Sequence, residues 1–221
     1  MSAPIFHAIA EIRTAVGSAR REGRAIGLVP TMGALHEGHG ELIRQACAAS
    51  GFVVVSVFVN PIQFDRAADY ERYPRTLERD AAFCGELGAA AVFAPSGGEM
   101  YPGKLLTSVE VSTVSEGLCG AFRPGHFRGV ATVVAKLFHI VQPDRAWFGE
   151  KDAQQLAVIR KMTADLDFPV EIVAVSTVRE PDGLAMSSRN RRLNPEERAV
   201  APAVYRALRE AAEAVSGGCQ D

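Results

Sequence analysis

Little in this chain points toward nucleic acid, a membrane or a disulfide scaffold. Its 24 basic and 26 acidic side chains nearly cancel, leaving a formal net charge of −2, so no excess positive field exists to gather nucleic acid or anionic lipid. Basic residues cluster only locally, at Arg189, Arg191 and Arg192. No apolar run approaches the roughly eighteen residues that suggest a membrane span, and no basic flank followed by an apolar run opens the chain. The four cysteines, Cys47, Cys84, Cys119 and Cys219, show no Cys-x-x-Cys spacing and read as small buried hydrophobes of a reducing compartment. The expected location is therefore cytoplasmic. A Gly-x-x-x-x-Gly-Lys-Ser/Thr loop is missing, which removes Walker-type phosphoryl transfer. No serine or cysteine sits in a nucleophile elbow, so acyl-enzyme chemistry has no candidate.

What is present is an ordinary globular composition, 48% hydrophobic and 23% charged over 221 residues, enough for one domain or one domain with a small appendage. Apolar spacing of three to four predicts a helix from Ile5 to Arg21. Ala25 to Val29 predicts a first strand, and Phe52 to Val59 a second, buried on both faces because it is almost uninterrupted. A helix capped by Thr76 leads to a third strand at Ala90 to Ala94. The weak alternation at Thr107 to Val114 suggests a hairpin or edge strand. An apolar helix from Val130 to Val141, strands at Arg145 to Gly149 and Val170 to Val175, and a closing helix from Pro195 to Val215, capped by Asn194, complete the pattern. Asp65 to Arg79, charged and poor in core candidates, reads as a mobile loop able to fold over a site.

Five strands alternating with helices predict an α/β fold with a doubly wound parallel sheet, in which ligands bind outside the carboxyl ends of the strands. Pro30-Thr31-Met32-Gly33-Ala34-Leu35-His36-Glu37-Gly38-His39 follows the first strand and opens a helix. Free backbone N–H groups in that turn, with the helix dipole, would receive an anion. His36 and His39, three apart, would donate to it. Asn60 and Gln63 follow the second strand, and Lys151, Asp152 and Gln155 follow the fourth. Arg123 and His126, in a glycine-bearing turn before a helix, offer a second anion contact. With no third Cys or His ligand near the histidines, no protein metal site is assigned. The residues point to attack on a nucleoside triphosphate by a bound substrate, with histidines, a lysine and Mg²⁺ stabilising phosphate charge.

The strings VPTMGALHEGH, VSVFVNPIQF, RPGHFRGV, FGEKDAQQL and LAMSSRNRRL, in this order between Ile26 and Asn194, resemble the pantothenate synthetase (pantoate–β-alanine ligase) family, itself similar to the His-x-Gly-His nucleotidylyltransferases. The resemblance implies a Rossmann-like domain over 1–176 and, from 177–221, the start of a smaller C-terminal lid domain that is truncated relative to the family. It implies a two-step reaction in which ATP and pantoate give pantoyl adenylate and pyrophosphate, after which β-alanine displaces AMP. His36, His39, Lys151 and Arg189 would be catalytic. Met32, Gly149, Asp152, Val178, Met186, Ser187 and Ser188 would complete the ATP site, and Gln63, Gln155, Asn60 and Arg123 would serve pantoate. A homodimer through the N-terminal domain and Mg²⁺ as cofactor are likewise implied. Two other readings remain open: a nucleotidylyltransferase with another acceptor, which would not need the Gln63 and Gln155 pair, and a domain that binds ATP or pantoate without turnover.

Overall fold

The apolar runs become strands of one sheet because each buries both faces, and their alternate residues go to two different cores. In a computed structural model, which describes residues 2–218, these are β1 (Ile5–Phe6), β2 (Ile26–Thr31), β3 (Phe52–Val57), β4 (Ala91–Phe93), β5 (Arg145–Gly149) and β6 (Glu171–Val175). All pair in parallel, in the order β1-β4-β3-β2-β5-β6. The helices are α1 (Ile9–Arg21), α2 (Glu37–Ala49), α3 (Ala67–Glu71), α4 (Leu77–Glu86), α5 (Gly97–Met100), α6 (Cys119–Phe122), α7 (His126–Val141), α8 (Ala153–Asp165), α9 (Pro195–Val200) and α10 (Ala203–Ser216).

Leu28, Val54, Phe93, Ala146 and Phe148 face α1, α7 and α8, whereas Val29, Val53, Val55, Val92 and Trp147 face α2 and α4. This period of two, with a helical layer on each face, makes the sheet doubly wound. From β2 the chain winds outward through β3 and β4, then crosses to β5 on the opposite side. The order thus reverses between β2 and β5, and the crevice beyond their carboxyl ends is the expected ligand site.

Several sequence expectations are corrected. Ile5 and Phe6 are not helical but pair with Val92 and Phe93, because the β4 edge supplies hydrogen-bond partners that local spacing cannot reveal. The sheet therefore has six strands. Thr107 to Val114 forms no strand; it crosses the surface of α7, where the Val109 amide donates to Thr132 Oγ1 at 3.0 Å. The charged stretch from Asp65 to Arg79 contains α3 and buries Tyr73. Thr76 makes no cap bond; its hydroxyl donates to Asp80 instead. The closing helix is interrupted at Ala201 and Pro202, since proline offers no N–H to continue the ladder, and Val204, Leu208 and Val215 on α10 are exposed. Cys84 is buried and Cys47 half-buried, but Cys119, on a four-residue helix in a surface excursion, is exposed. Cys219 lies outside the described residues. No helix among the described residues is long and apolar enough to cross a membrane.

Candidate active site

The turn after β2 departs from the expected anion cradle. Gly33 and Ala34 are left-handed, with φ of 82° and 52°, and the N–H groups of Gly33, Ala34, Leu35, His36 and Gly38 are occupied. Gly33 donates to Thr31 Oγ1 at 3.1 Å, and Ala34 and Leu35 donate to the two carboxylate oxygens of Asp80, each at 2.9 Å. His36 donates to His39 Nδ1 at 3.4 Å and Gly38 to His36 Nδ1 at 3.1 Å. Asp80, 1% exposed on α4, is thus the resident anion of this turn. Most of the N–H groups expected to receive an anion are therefore already taken.

The two imidazoles are set by the same bonds. A ring nitrogen that accepts from a backbone N–H carries no proton, so in each neutral ring the proton sits on Nε2, the atom left to donate. Burial, the positive charge of His36 and that of Lys151 push His39 down to about 3. Burial, then Lys151 and Arg191, lower His36 as well. The pair, with ring centroids 4.2 Å apart, therefore acts as two neutral donors at neutral pH. Gly38 makes this possible: a Cβ there would lie 2.9 Å from His36 Cε1 and 3.0 Å from Nδ1. The glycine in His-x-Gly-His is the space into which the first ring folds.

Gln63 closes the opposite side. It sits in a single 3₁₀ turn, Pro61–Gln63, against the start of α7. A Cβ on Gly129 would stand 2.4 Å from the Ile62 carbonyl oxygen, so only glycine lets α7 approach this turn. His126, pushed down chiefly by burial, bridges Arg123, at 3.0 Å from Nε2, and the Gln63 carbonyl, at 2.8 Å from Nδ1. Since Arg123 can only donate, the Nδ1 proton goes to Gln63.

A cleft of about 200 Å³ at the switch point is lined by Met32, His36, His39, Gln63, Gly149, Lys151, Asp152, Gln155, Val178, Met186, Ser187, Ser188 and Arg189. These are the sequence-expected residues with two exceptions. Asn60, 1% exposed, lies behind Gln63 and bonds its side-chain oxygen at 2.9 Å. Arg123 is outside the lining, held by His126 and by Asp65 at 3.6 Å. Lys151 pairs with Asp152 at 3.1 Å. Arg189 pairs with Asp69 of α3 at 3.2 Å, and Arg192 pairs with the same carboxylate at 3.0 Å, joining the Asp65–Arg79 stretch to the segment after β6. Sequence reasoning missed Asp80, 45 residues from Leu35, and Tyr73, which lines the cleft. No local pattern marks either one.

A parallel α/β sheet with its cleft at the strand-order reversal, carrying cationic and neutral donors on one side and amides on the other, defines an enzyme of the nucleotide-binding α/β class. The family model for pantoate-beta-alanine ligase matches residues 4–220. The pantothenate synthetase of Thermoanaerobacter sp. (strain X514) is 58% identical over 210 residues, covering 95% of this chain and 74% of that protein. That of Cereibacter sphaeroides (strain ATCC 17029 / ATH 2.4.9) is 57% identical over 215 residues, with 97% and 77% covered. Among solved structures, pantothenate synthetase from Thermus thermophilus superposes with a TM-score of 0.92 at 53% identity, covering 97% of this chain and 76% of that one. Pantoate-beta-alanine ligase from Francisella tularensis, complexed with beta-gamma ATP and beta-alanine, gives 0.88 at 38% identity, with 94% and 80% covered. The chain belongs to the pantoate–β-alanine ligase family, whose members link pantoate to β-alanine.

Proposed function

We propose that the chain performs this ligation with ATP in two steps within the one cleft. The pantoate carboxylate attacks the α-phosphorus, the bond to the bridging oxygen breaks, and pyrophosphate leaves with the electron pair. The neutral amine of β-alanine then attacks the acyl carbon of pantoyl adenylate, the acyl C–O bond to phosphate breaks, AMP leaves with the electron pair, and the nitrogen releases a proton to solvent as pantothenate forms. The Nε2 protons of His36 and His39, with Lys151 and Arg189, would offset the charge growing on the phosphates; such donors contribute on the order of 10²- to 10³-fold each when already oriented. Met32, Gly149, Asp152, Val178, Met186, Ser187 and Ser188 would form the rest of the ATP subsite, with Gln63 and Gln155 on pantoate. Mg²⁺ would arrive on the phosphates of ATP and share in neutralising their charge; among the described residues no group of three or more His, Cys, Asp or Glu could hold a metal.

In this reading, residues 1–176 form the Rossmann-like nucleotide- and pantoate-binding domain, and 177–221 open a lid domain that adds Val178, Met186, Ser187, Ser188 and Arg189 to the ATP subsite. The Asp65–Arg79 stretch, clasped through Asp69 to Arg189 and Arg192, would shield the adenylate from water. A homodimer through the first domain and a cytoplasmic location complete it. The observation that carries the proposal is the meeting of two neutral imidazole donors and two glutamine side chains in one cleft. The test is pyrophosphate release on mixing the chain with Mg-ATP and pantoate, followed by β-alanine. Pantoate-dependent release, with pantothenate appearing only after the amine, is expected; release without pantoate, or none at all, would refute the two-step reaction.

A further inference from the structure

Behind Gln63 lies a string of polar groups whose direction is set by one atom that cannot change roles. The Gly129 carbonyl oxygen, an acceptor only, lies 3.1 Å from Asn60 Nδ2. Turning the Asn60 amide over would set two acceptors face to face, so its nitrogen must point this way. The same Nδ2 donates to Gln63 Oε1 at 2.9 Å, which fixes the Gln63 amide in turn: oxygen inward, nitrogen outward, 3.2 Å from the weak acceptor sulfur of Met32 in the cleft wall. The Asn60 oxygen is met by Tyr101, whose hydroxyl donates to it at 2.7 Å. Burial raises the Tyr101 pKa, so this hydroxyl stays a donor. The Tyr101 ring is itself seated against Phe58, 6.1 Å between centroids, and beneath the Lys136 ammonium at 5.6 Å. Tyr101 follows α5, far from Gln63 in sequence, and it does not line the cleft.

We propose that Tyr101 is a positioning residue which holds Asn60, already oriented by the Gly129 carbonyl, against Gln63, and so locks Gln63 with its N–H donors toward this wall of the cleft, which then accepts only an oxygen acceptor, a carboxylate or hydroxyl oxygen of the acid substrate. The proposal rests on the reading of Gln63 as part of the pantoate subsite and assigns that subsite its polarity. A side chain that merely fills space would affect both substrates alike. A side chain that orients Gln63 affects pantoate alone, and only while Gln63 is there.

The test measures pantoate and ATP binding to the full chain by calorimetry, which needs no turnover, for the parent, Tyr101→Phe, Asn60→Asp, Gln63→Ala and the Tyr101→Phe/Gln63→Ala double variant. Tyr101→Phe is expected to weaken pantoate about 3- to 10-fold, as for one neutral hydrogen bond, with ATP changed less than about twofold. Asn60→Asp, which sets a carboxylate against the Gly129 carbonyl and turns the Gln63 nitrogen inward, is expected to weaken pantoate by at least about 30-fold. In the Gln63→Ala background, Tyr101→Phe should have no further effect. Equal factors in both backgrounds, equal losses for ATP and pantoate, or unaltered pantoate binding by Tyr101→Phe would overturn the proposal. If Asn60→Asp does not fold, the Tyr101 and Gln63 cycle decides alone. A parent chain that binds no pantoate would overturn the acid-subsite reading and the proposal with it, an outcome distinct from a parent that binds while its variants bind equally well.

Discussion

Replacing Gly38 by alanine separates the stability of this fold from its chemistry. The new Cβ would stand 2.9 Å from His36 Cε1, 3.0 Å from Nδ1 and 3.7 Å from Met186 Cβ; the first two distances are too short to persist, so the imidazole must swing out. That breaks the 3.1 Å bond from the Gly38 amide to Nδ1, a helix cap worth about 1 kcal/mol. Alanine in the first turn of α2 returns a similar amount, about 0.8–1 kcal/mol, through helix propensity. The expected net change in stability is near zero, a Tm shift of less than about 3 °C for a chain of this length. Activity has no such compensation. The bond that held the proton on Nε2 is lost and the ring tip is displaced, and a misplacement of this order costs about 10²-fold in rate. Thermal unfolding and single-turnover pyrophosphate release on the same preparation provide the check. A rate within about threefold of the parent would refute the claim that the His36 ring must fold over Gly38. A large loss of Tm with the rate loss would show that the helix, not the ring, had been disturbed.

Two further outcomes follow from the same turn. Asp80→Asn keeps the shape but sets an NH₂ against the N–H of Ala34 or Leu35, and a hydrogen bond to a buried charged group is worth about 1.5–3 kcal/mol; Tm is expected to fall by roughly 5–10 °C, and a fall under about 2 °C would remove Asp80 as the holder of the turn. Because His39 is pushed from 6.5 to about 3, the unfolded chain binds a proton between those values that the folded chain refuses, so stability is whole above about pH 6.5 and declines as pH falls toward 3. Between pH 7 and 5 the loss is on the order of 2 kcal/mol, read from urea midpoints and made shallower by His39→Gln. In the same range kcat/KM should show no acidic limb centred near 6.5 from this histidine, and such a limb, lost in His39→Gln, would show that it titrates normally.

The solved relatives supply the scale on which to view the segment after β6. They match 94–97% of this chain, yet the contacts that bring Arg189 over the cleft are made within the chain itself, by Asp69 of α3. The Asp65–Arg79 stretch and the segment that carries Arg189 are thus joined by ion pairs, and the side chain proposed for the triphosphate rests on a carboxylate that phosphate would have to displace.

The alternation of strands with helices, the two-faced burial of Phe52 to Val57, and the gathering of His36, His39, Gln63, Lys151 and Gln155 at strand ends were legible from sequence, because each depends on local periodicity and on where a strand stops. The glycine between the histidines was also legible as a place of close approach. What occupied that approach was decided by the tertiary structure alone. Asp80 reaches the turn from another helix and takes the N–H groups that local reasoning reserved for substrate, and β1 exists only because β4 offers an edge. Asn60 and Arg123 were expected at the cleft, yet Asn60 lies behind Gln63 and Arg123 is held by His126 and Asp65, since spacing along a chain does not say which way a side chain faces. Residue types and strand ends are written locally; the direction of a hydrogen bond depends on the partner that folding brings to it.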